Sequence, residues 1–156
     1  LAYDSVEGTR FGEEVMRVLN DESHLASEEL AAERGVFPAW DGSDWQARGK
    51  RVRNSYTTTV APTGTISIIA GCASGIEPLF AVAFMRNQAG VLMPDVNPEF
   101  VRMAEEGGWY SEDLMRRIAD EGHIHFDEVP QEVQDVFVTA HDVTPEQHIR
   151  MQASQR

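Results

Sequence analysis

The chain has 156 residues, of which 26 are acidic and 13 are basic, so its formal net charge at pH 7 is −13. This charge argues against a surface that binds DNA or RNA, because such surfaces are normally basic. No run approaches the about 18 apolar residues of a membrane span, whereas the hydrophobic content of 42% is enough for a core. A single cysteine, Cys72, excludes an internal disulfide, and a cytoplasmic protein is the default expectation.

The first 54 residues (1–54) are predicted to form a helical and loop lead-in. Apolar residues at spacings of three and four predict one or two amphipathic helices over about residues 5–34. Glycine and proline punctuate residues 35–54, which predicts a loop. We expect three aromatic residues to anchor that loop to a core: Phe37, Trp40 and Trp45.

Residues 55–86 are predicted to contain two strands with a turn between them. Residues 56–60 have the composition of a strand. Residues 62–67 follow as Pro-Thr-Gly-Thr-Ile-Ser, which predicts a turn that leads into a short helix. Residues 79–86 are almost continuously apolar, as in a strand that is buried on both faces of a parallel α/β sheet or barrel.

The remaining part, residues 87–156, is predicted to be helical. Residues that favour helix ends recur along it, and two helices are expected to end near Gly107-Gly108 and Gly122. The predicted helix starts are Asn97-Pro98, Ser111, Pro130 and Thr144, the last within a Thr-x-x-Gln capping box.

The turn at 62–67 has the residue types of a phosphate site. Thr63, Thr65 and Ser67 supply three hydroxyl groups, and Gly64 allows a ligand to approach the backbone closely. Backbone N–H groups at a helix start lack internal partners and favour anions. The Gly-Lys-Ser/Thr ending of a Walker A loop is absent, so the donors would be neutral. From these residues alone, an ordinary capped turn remains an alternative.

Three other residue types could carry chemistry. Glu77 lies in an apolar stretch, where a carboxylate needs a partner, and it could bond the backbone of a turn or face a ligand. Cys72 has no second thiol to pair with and is predicted to be a small buried residue. His123 and His125 are too close in sequence for the usual helical ligand pair, so no metal site is predicted.

Two strings of the sequence resemble the large catalytic subunit family of ribonucleotide reductases. One is Thr-Val-Ala-Pro-Thr-Gly-Thr-Ile-Ser at 59–67, and the other is Gly-Cys-Ala-Ser-Gly-Ile-Glu-Pro-Leu-Phe at 71–80. The version here is most similar to the class II, adenosylcobalamin-dependent enzymes, and the resemblance covers nearly the whole chain. Flanking strings agree with it: Glu33-Arg34-Gly35-Val36-Phe37-Pro38, Arg86-Asn87, Val96-Asn97-Pro98, Val138-Thr139-Ala140 and residues 144–152.

This resemblance implies a fold and a role for the chain. The catalytic part of the family is a ten-stranded α/β barrel, and residues 1–156 would be a single partial domain from its later portion, rich in helix. The resemblance implies adenosylcobalamin as cofactor, a ribonucleoside di- or triphosphate as substrate, a thioredoxin-like reductant and, as one option, a homodimer. Residues implied to bind the substrate diphosphate are Thr63, Gly64, Thr65, Ile66 and Ser67, with Pro62 and Glu77 as supporting residues.

The residues that carry the family's radical chemistry are not in this sequence. The family uses a cysteine in an Asn-Pro-Cys-x-Glu loop and a pair of cysteines that donate electrons, and Cys72 matches neither. We therefore expect a segment of a longer enzyme that contains no catalytic residue and no metal ligand, and that does not reduce nucleotides alone. Two alternatives remain: a fragment of a class I large subunit, and a non-catalytic nucleotide-binding module.

Overall fold

The computed structural model describes residues 1–88 and 90–155, and it gives the backbone alone for 86–88 and 91–94. The side chains of Arg86 and Asn87, which belong to the resemblance, thus lie outside the described part. The two strands form an antiparallel hairpin: Ala83–Gln88 (β1) and Val91–Val96 (β2). The helices are Val6–Arg34 (α1), Asp44–Ala47 (α2), Gly64–Ala70 (α3), Pro98–Gly107 (α4), Glu112–Glu121 (α5), Gln131–Gln134 (α6) and Pro145–Ser154 (α7). None of the described helices has the length and apolar character of a membrane span.

The helix starts predicted for the second half of the chain are confirmed. The Asn97 side chain accepts the backbone N–H groups of the first turn of α4, and Ser111 and Thr144 do the same for α5 and α7. Helices α4 and α5 end at Gly108 and Gly122, both in the left-handed conformation that glycine adopts without strain. The helix predicted after Pro130 is the single turn α6.

Helices α1 and α7 pack together through small and polar side chains. A Cβ at Gly12 would lie 3.2 Å from the Met151 sulfur, so glycine permits the close approach of the helices. The Gln147 side chain donates to the Thr9 hydroxyl of α1 at 3.0 Å. The side-chain amide of Gln147 therefore links the two helices. Of the two hydrogen bonds of the predicted capping box, the one in which the Thr144 hydroxyl accepts the Gln147 N–H is formed.

Helix α1 is one continuous helix whose apolar stripe is mostly uncovered by the described residues. Only Ser27 and Ala31 are buried, and the Ser27 hydroxyl accepts the Asn54 N–H at 2.9 Å. Between 36% and 60% of the surface of the apolar side chains remains accessible at Phe11, Val15, Val18, Leu19, Leu25 and Leu30. The stripe was predicted correctly, but its partner surface is not within this chain's described part.

The predicted loop at 35–54 is held in place by its tryptophans. Trp40 donates its indole N–H to the Lys50 carbonyl at 2.8 Å, and Trp45 donates to the Ser55 carbonyl at 3.0 Å. The Trp45 ring also packs against His24 of α1, with 5.0 Å between ring centroids. Both rings are half-buried, so they fix the loop to itself and to α1. Contrary to the prediction, neither these rings nor Phe37 belong to the hydrophobic core of the described residues or pack against it. The short helix α2 within the loop was not predicted.

Two strand predictions and one helix prediction need correction. Residues 56–60 form no strand, because no described segment offers them a hydrogen-bonded ladder. The strand predicted at 79–86 begins only at Ala83, and it pairs antiparallel. One face is covered, because Ala83 is buried whereas the next residue, Phe84, is 44% exposed. Phe80, which lies before the strand, is 74% exposed. Residues 91–96, predicted within a helical part, form β2. Apolar composition measures suitability for a pleated surface, and does not identify the pairing partner.

The core lies between the hairpin, α4, α5 and the chain from Ile124 to Phe137. Phe100 is fully buried at its centre, and its ring meets those of Trp109 and Phe137 edge to face at 5.3 and 5.2 Å. A ten-stranded barrel is not visible in the described residues, whose sheet has two strands. One isolated parallel bridge joins Leu79 to Thr139, which is the kind of pairing that parallel barrel strands make.

Candidate functional site

The predicted phosphate-binding turn begins at a residue with unusual backbone geometry. Thr63 precedes α3 with φ 50° and ψ 27°, and it is the one non-glycine residue with positive φ in the described chain. The first helical hydrogen bond runs from the Ser67 N–H to the Thr63 carbonyl at 2.9 Å. The N–H groups of Gly64, Thr65 and Ile66 consequently have no hydrogen-bond partner among residues 1–88 and 90–155. They can donate to an anion.

Four of the five residues predicted to bind a diphosphate lie together at the surface. Gly64 and Thr65 are exposed, Ile66 is 63% exposed, and Thr63 is half-buried. Ser67 differs, because only 5% of its surface is accessible. Its hydroxyl donates to the Gly64 carbonyl at 2.8 Å, so Ser67 stabilises the turn from its buried side. Pro62 is exposed beside the turn.

The second sequence motif is hydrogen-bonded directly to the turn. The Thr63 hydroxyl accepts the Gly75 N–H at 2.7 Å, and the hydroxyls of Ser67 and Ser74 lie 2.8 Å apart. Gly75 has φ +55°, and a Cβ there would lie 2.6 Å from the Ala61 carbonyl oxygen. Sequence reasoning did not identify Ser74 and Gly75 as part of the site. The available signal was the short separation in sequence between the two motifs of the resemblance.

Glu77 occupies the far end of this second motif. Its backbone N–H donates to the Ser74 carbonyl at 3.0 Å, and its side chain is exposed, so water can solvate the carboxylate that the sequence predicted to need a partner. The neighbouring Ile76 carbonyl accepts the Tyr3 hydroxyl at 2.9 Å. Burial, and to a smaller extent the Glu77 carboxylate, raises the pKa of Tyr3. Glu77 is therefore near the start of α1, not inside an apolar layer.

A groove of about 460 Å³ separates the turn from α1. Thr63, Gly75 and Glu77 line one wall. The facing wall is apolar and is formed by α1 side chains that include Phe11, Val15 and Leu19. The chemistry available at the turn itself is neutral hydrogen-bond donation from amides and hydroxyls, which suits phosphate oxygens.

Cys72 and the histidines do not extend the site. Cys72 is exposed, contrary to the prediction of a small buried residue, because it follows Gly71 where α3 ends at the surface. Over residues 1–88 and 90–155, no group of three or more His, Cys, Asp or Glu side chains could hold a metal ion. His123 stacks on Phe126 with 4.9 Å between ring centroids, and it lies beside His125.

His125 belongs to a surface network that sequence reasoning missed. Its ring nitrogens lie 3.0 Å from Gln134 and 3.4 Å from Asp142. The hydrogen bond with Gln134 raises the pKa of His125 above its usual 6.5, against an opposing effect of burial, and Asp142 adds to the increase. Burial alone would raise the pKa of Asp142, but the Thr139 N–H and hydroxyl, together with His125, lower it.

Known proteins are similar to this chain in sequence. The family model for the ribonucleotide reductase barrel domain matches residues 46–156. A vitamin B12-dependent ribonucleoside-diphosphate reductase of Thermoplasma acidophilum is 53% identical over 155 residues, which are 99% of this chain and 20% of that protein. One of Mycobacterium tuberculosis is 44% identical over 155 residues, 99% of this chain and 22% of that protein.

A solved structure has the same arrangement of elements. The class Id ribonucleotide reductase alpha subunit of Actinobacillus ureae superposes with a TM-score of 0.78 at 22% identity, covering 99% of this chain and 27% of that one. At this identity the likeness concerns the fold alone. The chain spans about a fifth of the length of the curated relatives described above.

Proposed function

Because this chain belongs to the family of the ribonucleotide reductase barrel domain, we propose that it is a single partial domain from the later portion of the barrel of an adenosylcobalamin-dependent ribonucleotide reductase. Within that enzyme, the turn at 62–67 binds the diphosphate of the substrate ribonucleotide. Support for the enzyme class comes from the two B12-dependent relatives at 53% and 44% identity. Both are named as ribonucleoside-diphosphate reductases, which favours a diphosphate substrate.

One observation carries the binding role: three adjacent backbone N–H groups, at Gly64, Thr65 and Ile66, have no acceptor among the described residues. The exposed Thr65 hydroxyl lies in the same turn. In a chain with a net charge of −13, an anion must be attracted by such local donors and not by the overall field. Hydrogen bonds to a charged group are also about twice as strong as those between neutral groups.

The contribution of this segment to the reaction is positional. Holding the diphosphate fixes the ribose in one place relative to the groups that react, which lowers the entropic part of the barrier. Adenosylcobalamin supplies radical chemistry when it is bound. The only thiol, Cys72, is exposed at the end of α3, and we assign no residue of this segment to the cofactor or to the radical. A thioredoxin-like reductant and a cytoplasmic location are part of the same proposal.

The test uses Thr65→Val in the full-length reductase, because valine keeps the branched shape and removes the hydroxyl. Loss of one hydrogen bond to a charged group weakens binding by roughly 1.5–3 kcal/mol. We expect the KM for the ribonucleotide to rise by about 10- to 100-fold, with cobalamin affinity little changed. Thr58→Val is the matched control, since the Thr58 hydroxyl also has no partner in the described chain and lies outside the turn. An unchanged KM in Thr65→Val would refute the binding role.

A further inference from the structure

We propose that Ser74 and Gly75 are positioning residues for the phosphate-binding turn, acting through hydrogen bonds to Ser67 and Thr63. This inference rests on the proposed function and adds residues that do not themselves touch the substrate. Both contacts cross between the two motifs: Gly75 N–H to the Thr63 hydroxyl at 2.7 Å, and Ser74 hydroxyl to Ser67 hydroxyl at 2.8 Å.

The direction of the serine–serine hydrogen bond follows from the count of hydrogens. A serine hydroxyl has one hydrogen to donate and can also accept. Ser67 donates that hydrogen to the Gly64 carbonyl at 2.8 Å. Ser74 must therefore donate to Ser67, and it holds the Ser67 oxygen in the place from which Ser67 reaches Gly64.

This chain of bonds orients the amides that face the ligand. Each peptide group is planar, so the direction of a carbonyl fixes the direction of the N–H that follows it. The Gly64 carbonyl shares its peptide plane with the Thr65 N–H, and Ser67 fixes that carbonyl through its hydroxyl. The Thr63 carbonyl shares its plane with the Gly64 N–H, and the Ser67 N–H fixes it at 2.9 Å. Ser67 thus sets the orientation of two N–H groups that face the proposed ligand, and the hydrogen bond from Ser74 keeps the Ser67 hydroxyl in position.

Gly75 stabilises the other end of the turn. Thr63 has a branched Cβ and positive φ, a combination that is rare without specific support. The Gly75 N–H provides such support through the Thr63 side-chain oxygen, and it leaves the hydroxyl hydrogen of Thr63 free to donate outward. Gly75 can approach this closely only without a Cβ, because that atom would lie 2.6 Å from the Ala61 oxygen.

The experiment compares two ligands with Ser74 variants of the full-length reductase. Affinities for the ribonucleoside diphosphate and for the corresponding ribonucleoside are measured by equilibrium dialysis. We expect Ser74→Ala to weaken diphosphate binding by about fivefold to tenfold, the effect of one ordinary hydrogen bond, and to leave ribonucleoside binding unchanged. Ser74→Thr, which retains the hydroxyl, should restore diphosphate affinity. Ser55→Ala is the control, since the exposed Ser55 hydroxyl has no partner in the described part of the chain.

The outcomes separate this inference from the proposed function. If Thr65→Val weakens diphosphate binding and Ser74→Ala does not, the positioning role is wrong and the phosphate site stands. An equal loss for both ligands in Ser74→Ala would also overturn it, because a general structural defect does not discriminate between them. If neither variant affects diphosphate binding, both proposals fail. Ser74→Cys, whose thiol is a weak donor, provides the same comparison if Ser74→Ala does not fold.

Discussion

The substitution Gly75→Ala gives the sharpest test of how closely the two motifs are packed. The new Cβ would lie 2.6 Å from the Ala61 carbonyl oxygen, a distance at which the backbone must move. Alanine would also have to adopt φ +55°, which costs about 1–2 kcal/mol for a residue with a side chain. Movement of residue 75 away from Ala61 breaks its hydrogen bond to Thr63, a further loss of about 0.5–1.5 kcal/mol.

A second glycine in the same segment provides the matched control. Gly71 has φ +65°, and a Cβ there meets nothing within 4 Å, so Gly71→Ala carries the conformational cost alone. In both variants, the lower entropy of the unfolded chain offsets about 0.4–1 kcal/mol. We therefore expect Gly75→Ala to destabilise the turn by about 1–2 kcal/mol more than Gly71→Ala.

Native-state hydrogen exchange of the full-length protein, followed by mass spectrometry over residues 62–78, measures this difference locally. An excess of 1–2 kcal/mol corresponds to roughly 5- to 30-fold faster exchange in Gly75→Ala than in Gly71→Ala. Equal exchange in the two variants would mean that the Ala61 contact and the Thr63 hydrogen bond contribute nothing, and the packing argument would be wrong.

Two further predictions concern the surroundings of the turn. Tyr3→Phe removes the donor to the Ile76 carbonyl, so exchange near residue 76 should accelerate by roughly threefold to tenfold, whereas Tyr110→Phe, whose hydroxyl has no partner in the described residues, should change nothing. The His125 pKa, measured by hydrogen exchange at its ring carbon, should lie above 6.5 and fall in Asp142→Asn; a wild-type pKa at or below 6.5 would contradict the network. Because the pKa of His125 is raised in the folded state, its stabilising contribution is fully present below pH 6.5 and is lost as the pH rises through the folded value. The pKa of Asp142 is lowered, so its stabilising contribution is present above its usual pKa of 3.8 and is lost on acidification.

Helix ends were predictable because their signals are local. Asn97, Ser111 and Thr144 each accept hydrogen bonds from N–H groups two or three residues ahead, so the sequence contains both partners within one turn. The exposed part of the candidate site was predictable for the same reason. Residues 63–66 are consecutive, and the free amides of a helix start follow from helix geometry.

Contacts between distant segments could not be predicted in this way. Residues 56–60 have the composition of a strand, but a strand requires a partner, and none is present in the described chain. The role of Ser67 depends on Ser74 and on Gly64, which composition does not connect. Cys72 was misjudged because burial depends on what covers the end of α3, and a lone thiol gives no information about that surface.

Thr63 has a strained backbone conformation, and the same residue supplies the hydroxyl that joins the two motifs. A branched residue at φ 50° stores about 1–3 kcal/mol of strain, which glycine or asparagine would relieve. Either replacement would also discard the hydroxyl that joins the two motifs and faces the proposed ligand. The relief of strain and the lost hydrogen bond to Gly75, worth about 0.5–1.5 kcal/mol, act in opposite directions on the free energy of unfolding, so thermal stability alone gives little preference for or against threonine here. Nucleotide affinity, through the hydroxyl that faces the proposed ligand, is then the property that favours threonine at this position.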